Sequence, residues 1–216
     1  MKGLLLKDLS ILKTQGRSAV LIMAIALFML IAGNNTAFAV VYANILFVTF
    51  GITTISYDNY DNGYAFLFTL PISRKLYVME KYVFSILSIA TGTVLSLILM
   101  IVVSFIKVDY ILTTSEIAFV IGYGVSAIVI SSIMLPVNLK FGPEKGRIAM
   151  VVLIAIVMSG IFAMAKISGT MDLTRVYLGI KGSPAFIIIG IFSVIVLLIL
   201  AGSYLISCKI MENKEF

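Results

Sequence analysis

The chain has 216 residues, of which 61% are hydrophobic and 12% charged, with a net charge of +6 at neutral pH. Soluble domains carry about 25% charged residues, so this composition excludes a water-soluble globular fold and predicts an all-α, polytopic membrane protein. The single cysteine, Cys208, excludes a disulfide framework, and the absence of histidine removes the usual zinc ligands and general bases. A surplus of +6 would suggest nucleic acid as partner in a soluble protein; here it reports topology, and no nucleic-acid partner is expected.

In chain order, residues 4–13 read as a short helix lying in the membrane interface. Leu5, Leu9 and Leu12 fall on one face, with Lys7, Ser10 and Lys13 clustered elsewhere. The alternative is a cytoplasmic extension of the first span, although Gln15-Gly16 offers a bend before Arg17. From Ser18 to Tyr57 the chain carries no charged residue. Such a run is about 60 Å of helix, enough for two crossings of a ~30 Å hydrocarbon core. The turn formers Gly33-Asn34-Asn35-Thr36 divide it into spans over 18–33 and 36–57. Further charge-free runs predict spans over 82–106, 117–139, 148–165 and 184–208, the last opened by Ser183-Pro184 as N-cap and first helical residue. The expectation is one transmembrane domain over residues 1–216 with six transmembrane helices. The runs are continuously apolar rather than alternating, which argues against a barrel.

Lysine and arginine set the orientation. Lys2, Lys7, Lys13, Arg17, Arg74, Lys75, Lys81, Lys140, Lys145, Arg147, Lys209 and Lys214 fall on one side, against Lys107, Lys166, Arg175 and Lys181 on the other. Both termini are therefore expected in the cytoplasm. A cleaved signal peptide ending at Ala37-Phe38-Ala39 is the rival, but another membrane span follows at once, so the uncleaved reading is preferred.

The longest stretch between spans, Asp58–Lys81, is too short for a domain, and Gly142-Pro143-Glu144-Lys145-Gly146-Arg147 lacks the order of a phosphate-binding loop. Any ATP-driven work must be done by another chain. Within Asp58–Lys81, Pro71 disfavours helix at Leu70, and Ser73 can cap a short helix running into the third span. That helix offers Leu76, Tyr77 and Met79 as an apolar stripe beside Arg74, Lys75 and Lys81. It reads either as a docking element for lipid headgroups or a partner protein, or as a plain positive anchor.

Phe68-Thr69-Leu70-Pro71-Ile72-Ser73-Arg74-Lys75, continuing to Val78 and Lys81-Tyr82, resembles the segment after the second helix of the short bacterial ABC-2 type permeases. Met1-Lys2-Gly3-Leu4-Leu5-Leu6-Lys7-Asp8-Leu9 resembles that family's N-terminus, and within the family the chain is most similar to permeases of exporters for phenol-soluble-modulin-type peptides. The resemblance implies a permease in the bacterial cell membrane that pairs with a second permease, as homodimer or heterodimer, and engages a separate ATP-binding-cassette ATPase. The coupling helix would be about Ser73–Lys81, with Ser73, Arg74, Lys75, Leu76, Met79 and Lys81 as docking residues. The helix at 4–13 would be the family's connecting helix, and the cargo an amphipathic peptide or other hydrophobic substrate.

Inside the spans, Ser88, Gly92 and Ser96 recur every four residues, and Gly122 and Ser126 repeat the spacing. Small residues so placed let helices approach closely, either within the molecule or at a subunit interface. Asn44 is the deepest strongly polar side chain, and is expected to hydrogen-bond a neighbouring helix. Pro136 is expected to kink the fourth span, with Asn138 meeting the freed carbonyls, and Gly160 and Gly202 to serve packing. Lys166–Gly182 reads as an external loop or an amphipathic cap. No charged residue lies deep in a span, which disfavours an ATP-independent transporter. Gly124-Val125-Ser126 has no histidine to activate it, and Asp58 reads as a lone carboxylate, so no catalytic residue, metal site or cofactor is expected. A non-transporting scaffold or immunity protein remains an alternative.

Overall fold

The computed structural model describes residues 2–14, 16–32, 36–60, 63–106, 113–168 and 185–214. The apolar runs form helices: α1 (Lys2–Thr14), α2 (Gly16–Ala32), α3 (Thr36–Asn59), the short α4 (Gly63–Leu67), α5 (Arg74–Ile106), α6 (Thr114–Ser168) and α7 (Ala185–Glu212). Among the described residues there is no strand. Among the described residues three stretches, Arg74–Ile106, Thr114–Gly142 and Phe192–Glu212, are long and apolar enough to cross a membrane. The turn at Gly33–Asn35, the Ser183-Pro184 cap and the Lys166–Gly182 stretch beyond Ser168 lie outside the described residues.

Helix α3 is central, packed against α5 and α6; α2 lies on α3, α7 covers α6 and α5, and α1 crosses the ends of α3 and α5. The outer faces are apolar, with Val94, Ile98 and Phe105 of α5 and Leu197, Leu198 and Leu205 of α7 all exposed. Such faces suit hydrocarbon as solvent.

Helix α6 begins with a capping box. Thr113 N donates to Glu116 Oε2 at 3.1 Å, and Glu116 N donates to Thr113 Oγ1 at 3.4 Å. The loop expected between the fourth and fifth spans is far shorter than the charge pattern suggests. Within α6 only Gly142 leaves helical geometry, at φ 76° and ψ 179°. Glycine tolerates that positive φ, the following proline favours the extended ψ, and Pro143 opens the next arm where its missing N–H costs nothing. A methyl group at Gly142 would also lie 2.9 Å from Asn59 Nδ2. The kink thus falls at Gly142, not at Pro136. The carbonyl that Pro136 frees belongs to Ser132, four residues earlier, and the Ser203 hydroxyl of α7 donates to it. Asn138 instead donates to Met134 O at 2.9 Å.

The small residues of α5 serve the interior. Ser88, Gly92 and Ser96 are all buried, and a methyl group at Gly92 would collide with the Phe47 ring of α3. Likewise, a methyl at Gly124 of α6 would strike the Thr93 side chain of α5. Asn44 binds across this seam, donating to Ser96 Oγ at 3.4 Å and accepting from Thr93 Oγ1 at 3.3 Å. Gly122 and Ser126 behave differently from that stripe. Gly122 is exposed with open space beside it, and half-buried Ser126 donates to its own helix at Tyr123 O, 2.8 Å away. Gly202 also faces open space, so it does no packing. The Gly160 environment lies outside the described side chains.

Candidate functional site

The segment between α3 and α5 folds as a compact elbow. Helix α4 ends in tight turns, with Phe68 N donating to Tyr64 O at 3.0 Å and Thr69 N to Phe66 O at 3.1 Å. Pro71 cannot continue a helix, and Ile72 N bonds back to Leu70 O at 2.6 Å. Ser73 then caps α5: its Oγ accepts from Leu76 N at 3.2 Å and its carbonyl from Tyr77 N at 3.1 Å. The stretch Arg74–Lys81 is therefore not a separate short helix. It is the first two turns of a 33-residue helix that runs unbroken to Ile106.

The inward face of these turns is aromatic. Tyr77 sits edge-on to both Tyr64 and Phe68, each at 5.8 Å between ring centroids, and the Arg74 guanidinium lies 5.9 Å above Phe68. Burial pushes the Tyr64 hydroxyl well above its ordinary pKa, so it stays neutral. Tyr77 Oη donates to Asp58 Oδ2 at 2.9 Å, tying the elbow to the end of α3.

Beneath this cluster lies a buried ion network that spacing alone did not reveal. Lys81, fully buried, reaches Asp8 Oδ2 of α1 at 2.5 Å and Asp58 Oδ2 of α3 at 2.7 Å, and its ammonium lies 5.2 Å from the Tyr77 ring. Half-buried Lys7 pairs with Asp58 and, at 3.2 Å, with Asp8. Burial raises the Asp58 pKa, but the Lys81 and Lys7 ammonium groups outweigh it and hold the carboxyl below its ordinary 3.8. Glu80 is buried 3.7 Å from Lys81, and among the described residues neither of its oxygens finds a hydrogen-bond donor. Asp58 is thus not a lone carboxylate. Each aspartate is committed to lysines in a dry site, which suits a structural clamp rather than acid–base chemistry.

Other predicted docking residues are placed unevenly. Lys81 cannot present its charge to a partner, because it is enclosed by the network. Tyr77 is likewise buried, which removes it from the expected apolar stripe. Arg74 donates to Met211 O at 3.0 Å and to Glu212 O, closing the C-terminus of α7 where backbone carbonyls concentrate negative charge. Lys75 pairs with Glu212 at 3.3 Å, but at 70% exposed that link contributes little. Leu76 is half-buried, Met79 exposed and Ser73 exposed. The tip of the elbow adds Phe66, Leu70 and Pro71, all exposed. In α1 the inward residues are Leu4 and Asp8, whereas Leu6 and Leu9 point away from the protein.

Among the described residues no group of carboxylate and cysteine side chains is arranged to hold a metal ion. A family model described as ABC-2 family transporter protein matches residues 3–212. No curated protein and no solved structure matches the chain.

Proposed function

The chain belongs to the ABC-2 transporter family, and on that premise we propose that it is the permease subunit of an ATP-binding-cassette exporter. Family membership implies a partner ATPase, and the proposal places that partner on the elbow between α3 and α5. The observation that carries the reading is the joining of an exposed apolar tip, Phe66, Leu70 and Pro71, to a buried clamp. Because Lys81 grips Asp8 and Asp58, a displacement of the elbow is passed to α1 and α3 as well as along α5. Docking needs an adhesive surface and transmission needs rigidity; the elbow supplies the first and the clamp the second.

In this reading residues 1–216 form one permease domain with six crossings, inserted in a bacterial cell membrane with both termini cytoplasmic. Two permeases pair, and the open face around Gly122 is a candidate for that contact. The cargo is an amphipathic peptide or a similarly hydrophobic molecule, for which helices free of charge beyond the clamp, over 82–106 and 117–139, are suited.

Co-purification in detergent with the co-expressed ATPase tests the docking face. Phe66→Glu/Leu70→Glu touches only exposed positions, so the permease should stay folded and lose most of the bound ATPase. Arg74→Glu is a poorer probe, because it also uncaps α7. Retention equal to wild type would move docking elsewhere. No retention by wild type would favour a scaffold or an ATP-independent transporter.

A further inference from the structure

Between α6 and α7 an apolar groove of about 600 Å³ opens on the outer surface, lined among others by Pro136, Val137, Phe141, Leu198, Gly202 and Ile206. A second hollow of about 430 Å³ shares Lys140, Ile206 and Ile210 with it and adds Lys209, Asn213 and Lys214. Neither lining contains a carboxylate. The two form one channel, apolar along most of its length and basic at one end.

We infer that this channel holds an anionic phospholipid, its acyl chain along the α6–α7 groove and its phosphate at Lys140 and Lys209. Three observations support that occupant. The first is length: from Leu198 to Ile210 the groove follows α7 for about 18 Å, close to the ~15 Å of one hydrocarbon leaflet. Charge is the second. Lys140 and Lys209 are exposed, and among the described residues neither pairs with a carboxylate, while Lys214 stands at the same end with its ammonium on Leu139 O at 2.9 Å. The third is the groove floor. Its polar atoms are already satisfied, since Ser203 donates to the carbonyl that Pro136 frees and lies 2.5 Å from Tyr82 Oη. What remains for a ligand is hydrocarbon surface ending in cations. Gly202, with nothing near its Cα hydrogen, keeps the middle of the groove open.

Native mass spectrometry of the purified protein, exchanged into mixed phosphatidylglycerol and phosphatidylcholine, reads the site directly. Two interfacial lysines predict a preference for phosphatidylglycerol of roughly thirtyfold. Lys140→Ala/Lys209→Ala should bring the two lipids close to parity. Gly202→Leu, which enters open space and leaves the interior untouched, should lower retention of both by filling the groove. Equal retention of the two lipids by wild type would overturn the inference. So would a Gly202→Leu variant that keeps its lipid but changes oligomeric state, since a second copy would then be the occupant.

Discussion

Near its N-terminus α5 is held by charge: Lys81 reaches Asp8 of α1 and Asp58 of α3 in a site closed to water. About three turns further on, the same helix is held by missing side-chain volume. There Gly92 admits the Phe47 ring, and Thr93 fills the space left by Gly124. The two means fail in opposite ways. A buried ion pair is costly to assemble and far costlier to leave half-made, so it is vulnerable to removal. A close-packed seam contributes through many weak contacts and has no room to spare, so it is vulnerable to addition. The first fixes direction and distance between elements; the second lets them pack without specifying a partner group.

The largest effect should come from breaking the clamp. Lys81→Met leaves two buried aspartates sharing Lys7 alone and should cost about 3–5 kcal/mol, read as a lowered unfolding midpoint in detergent. Gly92→Leu drives a side chain into Phe47 and should cost about 1–3 kcal/mol, whereas Gly122→Leu, at an open position, should stay within about 0.5 kcal/mol. If both glycine variants behaved alike, close packing would not be what holds the seam. Tyr77→Phe removes one hydrogen bond to a charged acceptor and should cost about 1.5–3 kcal/mol, with the aromatic contacts kept.

Acid should reveal the clamp more gently. The folded-state pKa of Asp58 lies below its ordinary 3.8, so its contribution to stability is fully present above that value. It is lost as pH falls through the folded value. The unfolding midpoint should therefore decline below about pH 4, and Asp58→Asn should flatten that part of the profile.

The sequence disclosed the seam but concealed the clamp, for a physical reason. Small residues at every fourth position mark a helix face on their own, so Ser88, Gly92 and Ser96 could be singled out without knowing what they meet. Lys81 looks the same in sequence whether it faces solvent or two aspartates. Its partners lie 73 and 23 positions away, and only the packing of α1 and α3 across α5 brings them to it. The all-helical class followed from the continuously apolar runs, and Ser73 could be read as a cap because Pro71 breaks the chain just before it. The Gly142 kink was masked by the surrounding charges, which made a longer loop look necessary. The contact of Arg74 with the end of α7 was equally hidden, since nothing local shows that those carbonyls would stand within its reach.

On the proposed reading, Lys81 carries elbow motion to α1 through Asp8 and to α3 through Asp58. Hydrogen exchange of the assembled permease–ATPase complex, with and without nucleotide, tests it most directly when wild type is compared with Asp8→Asn. Nucleotide should change exchange in the elbow, α1 and the end of α3 together in wild type. In Asp8→Asn the elbow and α3 should still respond, while the response of α1 should shrink to what the Lys7–Asp58 pair still passes on. An undiminished response of α1 in the variant would contradict it.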